Sequence, residues 1–123
     1  MVHGADGLDE LSTTGVNLIS YLQAGVVRTR ELDPQDWGLA RATIDDLTGG
    51  TPQENARITH DILSGADQGP RRDIVLLNAA AALGVADDDL AAGLAKAREC
   101  IDNGRALATL DAWIAKTNSF VRD

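Results

Sequence analysis

Met1-Val2-His3-Gly4-Ala5-Asp6-Gly7-Leu8-Asp9-Glu10-Leu11-Ser12 decides how this chain is read. Val2 and His3 have the character of a strand end. Gly4 and Gly7 then turn the chain into a loop dense in carboxylates and hydroxyls, continuing through Ser12, Thr13 and Thr14 to Gly15. A glycine-bearing loop at the carboxyl end of a strand is where α/β folds place their ligands. The strand body that such a loop expects does not precede it. The reading is therefore of a chain that begins inside a strand, with a parallel sheet expected upstream.

Outward from this loop, Asn17 to Leu22 and Val26 to Leu32 are rich in β-formers, and Gln23-Ala24-Gly25 separates them. They read as a β-hairpin with Gly25 at a positive-φ turn position. After Asp33-Pro34 the signals turn helical. A short turn covers Thr43 to Leu47 and is closed by Gly49-Gly50. Thr51-Pro52-Gln53-Glu54 then opens a helix: Thr51 caps, Pro52 suits the first helical position, and Glu54 completes a capping box. Ile58 and Ile62 share one face, and Gly65 supplies a left-handed end.

The run from about Arg71 to Leu83 holds Ile74, Val75, Leu76, Leu77 and four consecutive alanines, and predicts a buried central helix. The acidic triplet Asp87-Asp88-Asp89 suits the start of a helix that continues through Leu90, Leu94, Ala97 and Ile101. Gly104 kinks or caps it. A last amphipathic stretch through Leu107, Leu110, Trp113 and Ile114 is expected to pack on the rest, with residues 117–123 frayed. The chain thus divides into residues 1–33, which hold the strand stub, loop and hairpin, and residues 34–123, the helical part of one partial α/β domain.

The 123 residues allow one modest core, and with 3% aromatics that core must be built of Ala, Leu, Ile and Val. A net charge of -8 and a pI near 4.5 argue against nucleic-acid backbones and anionic membranes as partners, since both require clustered Lys and Arg. The single cysteine, Cys100, cannot form an internal disulfide, and no signal or spanning segment is visible. A cytoplasmic setting is the expectation.

Asp9 and Glu10 are adjacent carboxylates, and in a loop both can turn toward one ion. They read either as solvated surface charges or as Mg2+ ligands beside a phosphate-bearing ligand. His3 reads as a hydrogen-bonded structural residue rather than a ligand. His60 lacks a partner at metal spacing. Arg71-Arg72 could meet an anion, but Asp73 beside them favours a local ion pair or capping role. Asn78, alone on an apolar helix, reads as a satisfied core amide fixing helix register. Cys100 has no basic cluster to activate it.

The stretch His3-Gly4-Ala5-Asp6-Gly7-Leu8-Asp9-Glu10-Leu11-Ser12 closely resembles the His-Gly-x-x-Gly-Leu-Asp-Glu-x-Ser segment of the anthranilate phosphoribosyltransferase family, whose wider class includes pyrimidine nucleoside phosphorylases. Thr51-Pro52-Gln53-Glu54-Asn55-Ala56 resembles that family's Pro-x-Glu-Asn-Ala helix start. The block Gly69 to Leu83 is similar to its Arg-Asp-x-Val-x-Leu-Asn-Ala-Ala helix. The similarity runs in order from Met1 to about Ile114.

This resemblance implies the C-terminal part of a phosphoribosyltransferase-type α/β domain, with a strand stub, a hairpin and about four helices. It implies transfer of the phosphoribosyl group of phosphoribosyl pyrophosphate to anthranilate, in tryptophan biosynthesis, with Mg2+ held by Asp9 and Glu10. The family's diphosphate loop, its Lys-His-Gly segment, its anthranilate-facing arginine and its helical dimerisation domain lie N-terminal to this region. The expectation is a chain that is inactive alone, needs an N-terminal portion as partner, and forms a homodimer when complete. The alternative is a non-catalytic remnant whose exposed apolar faces bind a partner.

Overall fold

In the computed structural model, which describes residues 1–4, 6–86 and 88–120, Val2–His3 (β1), Asn17–Gln23 (β2) and Val26–Leu32 (β3) form one antiparallel sheet in the order β1-β2-β3. Ala5 of the glycine loop, Asp87 of the acidic triplet and the tail residues 121–123 lie outside the described residues. The register sets Val2 opposite Ile19, Asn17 opposite Leu32 and Gln23 opposite Val26. The two residues between β2 and β3 both have positive φ, Ala24 at 50° and Gly25 at 79°. That backbone twist matches the right-handed twist of the strands it joins, as the hairpin reading of Gly25 requires. Leu32, buried at the end of β3, and the partly buried Val2 and Ile19 supply the sheet's contribution to the core.

A 3-10 turn at Pro34–Trp37 follows, closed by Gly38 at φ 74°. The helices are Ile44–Leu47 (α1), Pro52–Leu63 (α2), Pro70–Gly84 (α3), Leu90–Asp102 (α4) and Arg105–Asn118 (α5). The capping box of Thr51 and Glu54 forms as its sequence spacing dictates, and Thr43 and Asp46 build a second one at α1. Gly65, at φ 78°, follows the end of α2. The acidic triplet divides its work: Asp89 caps α4 by accepting from the Ala92 N–H at 2.9 Å, whereas Asp88 pairs with Arg30 on β3 at 2.6 Å.

The centre of the molecule is the pair α3 and α4. No residue from Arg71 to Ala81 is exposed, and Leu76, Leu77 and Ala80 meet Leu90, Leu94, Ala97 and Ile101 in one cluster. Glycines set how closely the helices approach. A Cβ on Gly93 would press on the Ala80 carbonyl oxygen closer than real Cβ atoms come, and would stand a tight 3.0 Å from the Gly84 nitrogen. Leu11, from the glycine loop, is fully buried in the same cluster.

The last stretch departs from expectation. Residues 105–118 form a regular helix, continuing past Thr117, but α5 buries none of them, and Trp113 and Ile114 stay exposed. Gly104, at φ 79°, turns the chain out of α4, so that α5 reaches the core chiefly through Ala106. No helix among the described residues is long and apolar enough to cross a membrane.

Candidate functional site

The loop after β1 is fixed by backbone before any side chain of interest is reached. Gly4 N–H donates to the Leu8 carbonyl and Gly7 N–H to the Gly4 carbonyl, both at 3.0 Å. Gly7 needs its positive φ of 90°, and a Cβ on buried Gly4 would stand 2.7 Å from Asp6 Oδ1 and 3.0 Å from the Glu10 carbonyl oxygen.

Asp6 is the hub of the turn rather than a free ligand. Its Oδ2 accepts from Ser12 Oγ at 2.6 Å and from Thr14 Oγ1 at 2.7 Å, and its Oδ1 from the Leu8 N–H at 3.2 Å. Desolvation works to raise this carboxyl's pKa, but the donated hydrogen bonds from Ser12, Thr14 and Leu8 outweigh it and hold the pKa below its ordinary value.

The far side of the loop is held by two asparagine side chains. Asn78, on α3, accepts from the Leu11 N–H at 3.0 Å and donates to the Leu11 carbonyl at 2.8 Å. Asn17, at the start of β2 and fully buried, accepts from the Ser12 N–H at 2.7 Å and donates to the Ser12 carbonyl at 2.9 Å. Each amide offers one backbone residue the donor and acceptor that a neighbouring strand would otherwise supply. Thr13 is also fully buried; its carbonyl accepts from the Ala42 N–H at 3.2 Å, while its hydroxyl finds no partner among the described residues.

Asp9 and Glu10 sit between these anchors, and both are exposed. Among the described residues neither carboxylate enters an ion pair or a side-chain hydrogen bond. Two unpaired hard oxygen donors on a fixed backbone fit Mg2+, which keeps several waters and takes one or two carboxylates together with phosphate oxygens. They are a partial ligand set: among the described residues no three His, Cys, Asp or Glu side chains gather in one place.

The other candidate residues separate from this site. His3 is exposed at the end of β1, opposite Leu18. His60 is exposed on α2, with Nδ1 3.7 Å from Asp61. Arg71 donates to the Thr48 carbonyl at 2.9 Å. Arg72 does not pair locally with Asp73; its guanidinium reaches Asp102 at the end of α4 at 2.7 Å, because the close α3–α4 packing brings that carboxylate alongside. Burial raises the Asp73 carboxyl, and Arg72 and Arg98 only partly oppose it. Asn78 is satisfied as the sequence suggests, yet it holds the loop as well as its own helix. Cys100 is a partly buried free thiol. Asn17 was not legible as a site residue: an Asn at a strand start carries no signal beyond turn propensity.

A family model described as "Glycosyl transferase family, a/b domain" matches residues 1–107. The anthranilate phosphoribosyltransferase of Acetivibrio thermocellus is 45% identical over 123 residues, covering 98% of this chain and 35% of its own length. Among solved structures, anthranilate phosphoribosyltransferase from Saccharomyces cerevisiae in complex with 4-fluoroanthranilate superposes with a TM-score of 0.86 at 31% identity, covering 97% of this chain and 35% of that one. The same enzyme in complex with PRPP and Mg gives a TM-score of 0.85 with the same identity and coverage. The chain spans about a third of the length of the relatives it matches.

Proposed function

The chain belongs to the glycosyl transferase family through its α/β domain, and from that premise we propose that it is part of an anthranilate phosphoribosyltransferase. In this reading residues 1–33 carry the metal loop and hairpin, and residues 34–123 the helical part, of one partial α/β domain. The reaction joins the amine of anthranilate to the ribose carbon of phosphoribosyl pyrophosphate as pyrophosphate leaves. Asp9 and Glu10 hold Mg2+. When bound, the ion neutralises charge accumulating on the leaving diphosphate. The chain's own contribution is positional. The glycine turn and the two asparagine clamps fix the backbone that carries both carboxylates, so no reorganisation is needed as charge develops.

The observation that carries this reading is the Asp9-Glu10 pair, exposed and, among the described residues, unpaired on a backbone anchored at both ends. It is supported by a relative's structure solved with PRPP and Mg. Half a site cannot hold two substrates in register, so the reading requires a further, N-terminal portion of polypeptide and assigns no turnover to the 123 residues alone. A homodimer when complete and a cytoplasmic location belong to the same reading. The test is completion: joined to the remaining portion of the Acetivibrio thermocellus relative, the chain should convert anthranilate in a Mg2+-dependent manner. A correctly folded, completed enzyme without turnover would defeat the proposal.

The second reading, a partner-binding module without catalysis, draws on the exposed apolar side chains of Leu22, Val26, Val27, Trp113 and Phe120. Replacing Asp9 and Glu10 separates the two readings, since it removes turnover and spares binding through those faces.

A further inference from the structure

We infer that Asn78 is a positioning residue for the Asp9 and Glu10 carboxylates, acting from α3 through the backbone of Leu11; the inference rests on the metal reading above. Three contacts carry it. Asn78 Oδ1 takes the Leu11 N–H at 3.0 Å, Nδ2 gives to the Leu11 carbonyl at 2.8 Å, and Nδ2 also gives to the Ile74 carbonyl of its own helix at 3.1 Å. The last contact fixes the side chain's orientation, so the clamp is rigid with respect to α3.

The Leu11 N–H lies in the same planar unit as the Glu10 carbonyl and Cα. Holding that N–H therefore holds the backbone from which the Glu10 side chain projects, and Asp9 is the next residue back. Gly4 lets the loop backbone come close to the Glu10 carbonyl, since a Cβ at that position would stand 3.0 Å from its oxygen. Leu11 itself is fully buried against the α3–α4 cluster, so backbone and side chain tie the loop to the same helix. Sixty-seven residues separate the partners. An amide suits this task, because it presents a donor and an acceptor side by side on one plane at the spacing of a backbone N–H and C=O. A residue serving helix register alone needs no contact with Leu11.

The test uses the chain completed as above and two readouts: amide hydrogen exchange with no metal present, and Mn2+ binding with pyrophosphate present to supply the phosphate oxygens, followed by paramagnetic broadening of the Asp9 and Glu10 signals. The variants are Asn78→Ala and Asn78→Leu, the latter keeping bulk on the apolar helix so that packing survives, with Asp9→Asn as the reference for lost ligation. In both Asn78 variants the Leu11 amide should exchange about ten- to a hundredfold faster. Mn2+ affinity should fall about tenfold or more, in the range expected when the support of a metal ligand is removed. Amides within α4 should be unchanged in Asn78→Leu, which a general loss of stability would not permit.

Leu11 exchange within twofold of wild type in Asn78→Leu overturns the clamp. Faster exchange with unchanged Mn2+ affinity overturns the positioning role alone. A wild-type assembly that shows no Mn2+ effect at Asp9 and Glu10 with pyrophosphate present overturns the metal reading, and the positioning role with it.

Discussion

Replacing Asn17 with alanine should be among the most damaging single changes in this chain, although no catalytic role is assigned to it. Asn17 and Ser12 are both fully buried, and the Asn17 amide takes up both backbone groups of Ser12 at 2.7 and 2.9 Å. Its further contacts, to the Gly15 and Leu32 carbonyls at 3.3 and 3.4 Å, are long and contribute little. Asn17→Ala leaves a buried N–H and a buried C=O without partners, each at a cost of about 1–3 kcal/mol. The sum, about 2–6 kcal/mol, is a large share of the roughly 5–15 kcal/mol that stabilises an ordinary domain. At this chain length about 3–5 °C of Tm is lost per kcal/mol, so Tm should fall by about 6 °C or more. The assay is thermal and urea unfolding followed by circular dichroism, beside Asn118→Ala, an exposed asparagine near the end of α5 whose loss should cost at most about 0.5 kcal/mol. An Asn17→Ala variant that melts within about 2 °C of Asn118→Ala would refute the reasoning.

Gly93→Ala should destabilise by about 1–3 kcal/mol despite a better helix propensity, because its Cβ has no room against Ala80 and Gly84 across the α3–α4 contact; urea titration measures it. The Asp6 carboxyl titrates below its ordinary value in the folded chain, so its contribution to stability is present above about pH 4 and lost as the pH falls through the lower folded pKa. Asp6→Asn should remove that part of the acid dependence, and unfolding midpoints between about pH 2 and 5 will show whether it does. Asp73 is shifted the opposite way: burial raises its folded pKa, so its ionisation opposes folding as the pH rises through the acid range. Asp73→Asn should flatten that limb while keeping the Arg72–Asp102 ion pair, visible as an unchanged Arg72 side-chain resonance.

Local chemistry made much of the architecture legible. The Thr51–Glu54 capping box, Pro52 at the first helical turn, Gly65 after α2 and Gly25 in the hairpin each depend on residues a few positions apart, and each forms where its spacing requires. The central helix was equally readable, because an apolar run with four alanines has no soluble alternative to burial. What stayed hidden depends on contacts between distant residues. Nothing near Asn78 in sequence points to Leu11, nothing near Arg72 to Asp102, and nothing near Arg30 to Asp88. The apolar spacing of α5 predicted burial, whereas the turn at Gly104 carries Trp113 away from the core. At the candidate site the sequence offered Asp9 and Glu10 with two open readings. The structure separates them from their near neighbour: Asp6 is taken up by Ser12 and Thr14, whereas among the described residues Asp9 and Glu10 enter no ion pair or side-chain hydrogen bond.

The most direct test of the account is turnover of anthranilate by the chain completed with the remaining portion of its Acetivibrio thermocellus relative, compared with the same assembly carrying Asp9→Asn and Glu10→Gln. The account predicts Mg2+-dependent turnover that the two substitutions reduce by about a hundredfold or more, as loss of electrostatic support for a leaving group should. Turnover that survives both substitutions unchanged would contradict it.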